Sequence, residues 1–118
     1  MADINAGQLL SLNQYQQLAQ KTAQYPGKGK DLTYPALGLN GEAGEVADKL
    51  KKVFRDNHGE FDPERKEALA YELGDVLWYI ADLAFELGLP LETIATMNIN
   101  KLSSRARRGL IGGDGDNR

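Results

Sequence analysis

Apolar residues recur along this chain at intervals of three and four, and no stretch alternates with the period of two that a strand needs, so the pattern predicts helices throughout. Four segments carry it. The first runs from about Ser11, read as its N-cap, to Ala23, with Leu12, Tyr15, Leu18 and Ala19 as a narrow apolar stripe. Tyr25-Pro26-Gly27-Lys28-Gly29-Lys30 breaks it. The second begins near Tyr34-Pro35 and runs to about Asp56, turning Leu39, Val46, Leu50 and Val53 inward. Asn57-His58-Gly59 ends it, and Asp62-Pro63, an acidic N-cap before a proline at the first helical position, starts the third. That helix carries Leu69, Leu73, Val76, Leu77, Ile80, Leu83, Ala84 and Leu87, the most apolar set in the chain, and is expected to be central. Gly88 closes it and Pro90 opens the fourth, which continues through Ile94, Met97 and Leu102 to about Arg107. The pattern divides the chain into a helical domain over 1–108 and a tail over 109–118, too rich in glycine and aspartate to pack a core and read as a tail or an active-site flap.

Composition narrows what such a helical domain can do. With 118 residues it builds only a modest core, and small helical domains often complete theirs by pairing with a second copy, so a homo-oligomer is expected. A formal net charge of -3 gives no electrostatic reason to expect a nucleic-acid polymer as partner. The absence of cysteine removes disulfides, thiolate metal sites and cysteine nucleophiles together. Met1 to Leu10 holds no basic region ahead of an apolar run, and no apolar stretch approaches a membrane span, so a cytoplasmic protein without membrane attachment is expected.

The chemistry lies in two acid pairs. Glu42-Ala43-Gly44-Glu45 in helix two and Glu72-Leu73-Gly74-Asp75 in helix three each present carboxylates three positions apart, hence on one helix face. Such pairs are common on solvated helices. Here, however, a short connection should make the two helices antiparallel, and distances from the loop can be compared. Glu45 lies ~16 Å and Glu72 ~15 Å from it; Glu42 lies ~21 Å and Asp75 ~20 Å. All four acids are then expected to converge. Like charges at that proximity are costly, and a hard cation resolves the conflict. Oxygen ligands favour Mg²⁺, Mn²⁺ or Ca²⁺, and the only histidine, His58, belongs to the interhelical loop as a solvated residue. Gly41, Gly44 and Gly74, unfavourable inside helices, are expected to mark close approach of the two helices.

Cations follow the acids. Lys49 and Lys52 share the flank of the Glu42–Glu45 stripe and suit a polyphosphate beside a metal, with a Glu45–Lys49 surface pair as the plain alternative. Helix three continues the polar stripe as Glu72, Asp75, Tyr79, Asp82 and Glu86, expected to line a wet cleft or the surface. Asn98, Lys101 and Arg105 on helix four form a further face suited to sugar and phosphate contacts. Trp78 reads as core or interface, and Tyr79, on the acid stripe, as the better pocket residue.

Glu42-x-x-Glu45, 26 intervening residues, then Glu72-x-x-Asp75 resembles the signature of the MazG-type all-α NTP pyrophosphohydrolases. So do Leu37-Gly38-Leu39, Lys51-Lys52, Asp75-Val76-Leu77-Trp78-Tyr79, and Asn98 with Lys101; the likeness extends from about Tyr15 to Arg118. It implies an all-α, four-helix bundle-type fold that forms homodimers or homotetramers. It also implies an enzyme that cleaves a (d)NTP between its α and β phosphates, with Glu42, Glu45, Glu72 and Asp75 holding Mg²⁺, or Mn²⁺ in its place. Glu45 is the expected base for the attacking water, since Gly41 stands where some relatives carry another acid. Lys49, Lys52, Lys101 and Arg105 are the phosphate candidates, Asn98 a sugar or phosphate contact, and Tyr79 the base contact. The alternatives are a phosphoribosyl-ATP pyrophosphohydrolase and a non-enzymatic helical protein that binds a divalent ion or nucleotide.

Overall fold

The computed structural model describes residues 4, 7, 8 and 10–117; most of the stretch read above for a leader, and Arg118 of the tail, lie outside the described residues. Helices are the only regular elements among the described residues: α1 (Leu12–Gln20), α2 (Thr33–Asn57), α3 (Pro63–Glu86) and α4 (Leu91–Arg107). Their ends follow local chemistry. Ser11 accepts from the Gln14 amide at 3.1 Å while its own N–H donates to the Gln14 side chain at 2.8 Å, a reciprocal capping box. Asp62 accepts from the Arg65 amide at 2.8 Å, with Pro63 in the first turn. α2 stops where His58 and then Gly59 turn left-handed, at φ of +54° and +76°; His58 is exposed, as expected.

Pro90 caps α4 without a side chain to satisfy the first amides, and α1 supplies what is missing. The Gln16 carbonyl oxygen accepts from Leu91 N–H at 3.0 Å, and Asn13 accepts from Glu92 N–H at 2.9 Å. The buried Gln16 amide also donates to the carbonyls of Ala81 and Leu89, so one side chain pins the α3–α4 turn.

α3 is central, as its composition suggested: it packs on each of the other three helices, whereas α2 packs on α3 alone. The enclosed core is small, built from Ala81, Ala84 and Leu91 with Tyr15 and Ile94 against it. Several residues expected inside are not covered: Leu50 on α2, Leu73, Leu77 and Ile80 on α3, and Leu87 just past its end are exposed. One chain holds more apolar helix surface than its own helices can bury. No described helix is long and apolar enough to cross a membrane.

Candidate metal centre

The long antiparallel pair α2–α3 sets the site. Its short connection aligns the helices in register, and Glu42 from α2 meets Glu72 and Asp75 from α3, with a carboxylate oxygen of each within 4.8 Å of the others. Glu45, one turn along α2, is exposed and stands outside this threesome. The convergence thus involves three of the four acids expected. Burial, then the charges of Asp75, Glu72 and Glu45, push the Glu42 carboxyl above its ordinary range. Three carboxylates held this close can share a cation, and an all-oxygen donor set suits a hard one.

Lys49 borders the cluster. Its ammonium lies 3.4 Å from Glu72 Oε1, across the helix pair, so its partner is Glu72 and not Glu45. Lys52 instead binds Asp48 one turn back, at 2.7 Å. Lys49 and Lys52 also line a cavity of about 170 Å³ nearer the hairpin loop, with Val53, Phe61 and Arg65.

On the other flank of the acids lies an open pocket of about 300 Å³ lined by Thr22, Glu42, Asp75, Trp78 and Tyr79. The Trp78 indole N–H donates to the Thr22 hydroxyl at 2.9 Å, and the Trp78 and Tyr79 rings meet edge to face, 4.9 Å apart. Trp78 therefore borders the same pocket as Tyr79. Thr22 belongs to the segment after α1, which the sequence offered only as a helix end. Tyr79 lies against α2 at Gly38, where a Cβ would overlap its ring. Gly38 is the glycine that close approach of α2 and α3 requires. Gly41, Gly44 and Gly74, expected to serve that purpose, have nothing within 4 Å of where a Cβ would stand, because they sit off the line of contact between the two helices.

The α4 candidates are elsewhere in the chain. Asn98 and Lys101 line a shallow pocket with Ile94 and Met97. Lys101 and Arg105 both reach Asp116 of the tail at 3.3 Å, and Arg105, buried to 4% exposure, also donates to the Gly115 carbonyl. Within one chain none of the three lines the pocket beside the acid cluster.

The α3 polar stripe does not form one wet cleft. Below Tyr79 it turns into the protein, where Asp82 is wholly buried and Glu86 partly so.

The chain is thus a bundle of helices with a carboxylate cluster between its two longest members, flanked by a lysine and an aromatic pocket. Residues 33–109 match the family model described as the MazG nucleotide pyrophosphohydrolase domain, and the chain belongs to that family. It is also 50% identical over 109 residues, covering 88% of this chain and 96% of the relative, to the "Gene 37 protein" of Mycobacterium phage L5. No solved structure matches the chain.

Proposed function

We propose that this chain is a Mg²⁺-dependent hydrolase of (deoxy)nucleoside triphosphates, releasing the monophosphate and pyrophosphate. The observation that carries this reading is the meeting of Glu42, Glu72 and Asp75 beside an aromatic pocket, within a domain of a nucleotide pyrophosphohydrolase family. Those three carboxylates would hold the ion, and Mn²⁺ would satisfy the same ligands. Bound there, the metal supplies charge neutralisation at the phosphate oxygens.

Glu45 is the residue assigned to the attacking water. It lies close enough for its charge to act on Glu42, yet stands outside the three-acid cluster, which leaves its carboxylate available as a base. As the water oxygen bonds to phosphorus, its proton passes to Glu45 and the bond from that phosphorus to the α–β bridging oxygen breaks. Lys49 stabilises charge on the phosphate oxygens from the edge of the site, with Lys52 beyond it; Tyr79 receives the base. Lys101, Arg105 and Asn98 are reserve contacts that would need movement of the tail or a second copy to take part.

The active form is inferred to be a homo-oligomer in the cytoplasm. Leu37, Phe54, Tyr71 and Met97 are 62–70% exposed on the helices of a single chain, an apolar surface that a second copy would cover.

The test is pyrophosphate release from canonical and modified dNTPs and from phosphoribosyl-ATP, with and without Mg²⁺, for the parent, Glu45→Gln and Asp75→Asn. Mg²⁺-dependent release from dNTPs that both variants lose is the expected result. Turnover of phosphoribosyl-ATP alone would replace the substrate, and folded protein silent on the whole panel would discard the reaction.

A further inference from the structure

Asp82 is a wholly buried carboxylate that takes no part in the acid cluster. Around it the segment between α1 and α2 folds down onto α3. Tyr25 Oη donates to Asp82 at 2.5 Å, Gln20 Nε2 at 2.8 Å and Lys28 Nζ at 3.1 Å. Lys28 also bonds Glu86 and lies over the Phe85 ring, 4.9 Å from its centroid. Gly27 and Gly29, at φ of +82° and +80°, bend the chain on either side of Lys28 so that its ammonium can point inward. Burying a carboxylate costs heavily unless its oxygens are bonded, and here donors from the end of α1 and from the loop after it meet that cost together. Asp82 is the buried attachment point of the loop.

What the loop carries leads back to the site. Tyr25 stacks on Tyr34 in the first turn of α2, with centroids 4.6 Å apart and planes within 4°. Tyr34 stands one turn before Gly38 on α2, with its phenol near enough to the Tyr79 phenol to act on it. Tyr79 in turn lines the pocket with Glu42 and Asp75, lying against Gly38. Asp82, Tyr25, Tyr34 and Tyr79 thus follow one another as neighbours from a buried anchor to the rim of the acid cluster. Tyr79 lies between the α2 backbone at Gly38 and the nearby phenol of Tyr34. A braced aromatic ring beside a charged centre gives a planar ligand a fixed surface without ordering cost on binding.

We propose that Asp82 is a positioning residue for the nucleobase, which through Tyr25 and Tyr34 fixes the Tyr79 ring as the wall on which the base lies. This rests on the nucleotide reading of the site, but makes a separate claim: the brace serves the base, not the phosphates. Tyr34 is the specificity-determining link, because its phenol stands beside that of Tyr79 while its ring keeps the stack on Tyr25.

The test uses binding. Trp78, the only tryptophan in the chain, borders the pocket, so its fluorescence reports occupancy. The parent, Tyr34→Phe, Tyr25→Phe and Asp82→Asn are titrated, with Mg²⁺ present, with a dNTP analogue carrying an α,β-imido bridge and with inorganic tripolyphosphate. Each variant is expected to weaken the nucleotide analogue roughly fivefold to tenfold, a fraction of a full base-stacking contribution, while leaving tripolyphosphate within twofold. Tyr34→Phe and Tyr25→Phe keep both rings and decide the matter if Asp82→Asn does not fold. Equal weakening of both ligands, an unchanged nucleotide affinity in the two Phe variants, or a parent that binds tripolyphosphate as tightly as the nucleotide would each overturn the proposal. A selective nucleotide loss in a protein that releases no pyrophosphate would sink the proposed reaction and leave this inference standing.

Discussion

Lys49 extends from α2 to set its ammonium 3.4 Å from the Glu72 carboxylate of α3, joining the two helices at the edge of the acid cluster. The pair is part exposed, so its contribution to folding is small, under about 1 kcal/mol. Its value lies in where it holds a positive charge. Lys49→Ala should therefore leave the melting temperature nearly unchanged while lowering kcat/KM for a dNTP on the order of tenfold to a hundredfold, the worth of one charge-assisted hydrogen bond. Steady-state pyrophosphate release beside a thermal melt checks both halves.

The division between the three-acid cluster and Glu45 predicts that metal binding and turnover separate. Mg²⁺ at about a hundred times its Kd should stabilise the protein by ~2.7 kcal/mol, a rise of roughly 10 °C in Tm for a domain of this size. Glu72→Gln should abolish most of that rise. Glu45→Gln should retain it and still lose pyrophosphate release by a hundredfold or more, within the usual range for a general base. A Glu45→Gln protein that no longer responds to Mg²⁺ would make Glu45 a ligand instead.

Gly38→Ala sets a small steric question. Alanine normally improves a helix interior by about 1 kcal/mol over glycine. At Gly38, however, the added methyl meets the Tyr79 ring, and overpacking of this kind costs about 1–3 kcal/mol. The variant should melt lower than the parent and bind nucleotide more weakly. Gly41→Ala, where open space surrounds the position, should show no such loss. Paired melts and nucleotide titrations read the difference.

Acid should loosen the Asp82 anchor. Burial alone would raise this carboxyl, but hydrogen bonds from Tyr25, Gln20 and Lys28 outweigh it and hold the group below its ordinary 3.8. A carboxyl depressed on folding adds stability above its unfolded pKa and loses it as pH falls from about 3.8 through the lower, folded value. Asp82→Asn should accordingly cost on the order of 3 kcal/mol near neutral pH, the scale of a broken buried pair, and show a shallower decline below pH 4 than the parent. Denaturant melts of both proteins between pH 3 and 7 measure it.

Much of the fold was legible because its boundaries are local. Ser11, Asp62-Pro63 and Gly88-Pro90 act on neighbouring backbone groups, and the observed helices begin and end within a few residues of where these signals place them. The acid cluster was legible in one dimension. Counting from the loop gives height along a helix, and it set Glu42 level with Asp75; it does not give rotation about the axis. Glu45 stands exposed on α2 outside the meeting of the other three, although the same spacing keeps both Glu72 and Asp75 of α3 within it. For the same reason Gly38, not Gly41, Gly44 or Gly74, proves to be the contact glycine. Asp82 was read as wet because its neighbours on the stripe are polar, and the groups that bury it come from a loop whose glycines and proline signalled only an interruption.

The bonds from Asn13 and Gln16 to the first amides of α4 join positions 75 to 79 residues apart. The α2–α3 hairpin closes through one short loop, so it can form early and by itself, whereas α4 has no finished beginning until α1 arrives. The order of assembly follows. In synthesis from the ribosome the first helix must wait for almost the whole chain, and in hydrogen exchange the amides of Leu91 and Glu92 should open together with α1, as one cooperative unit apart from the middle of the hairpin.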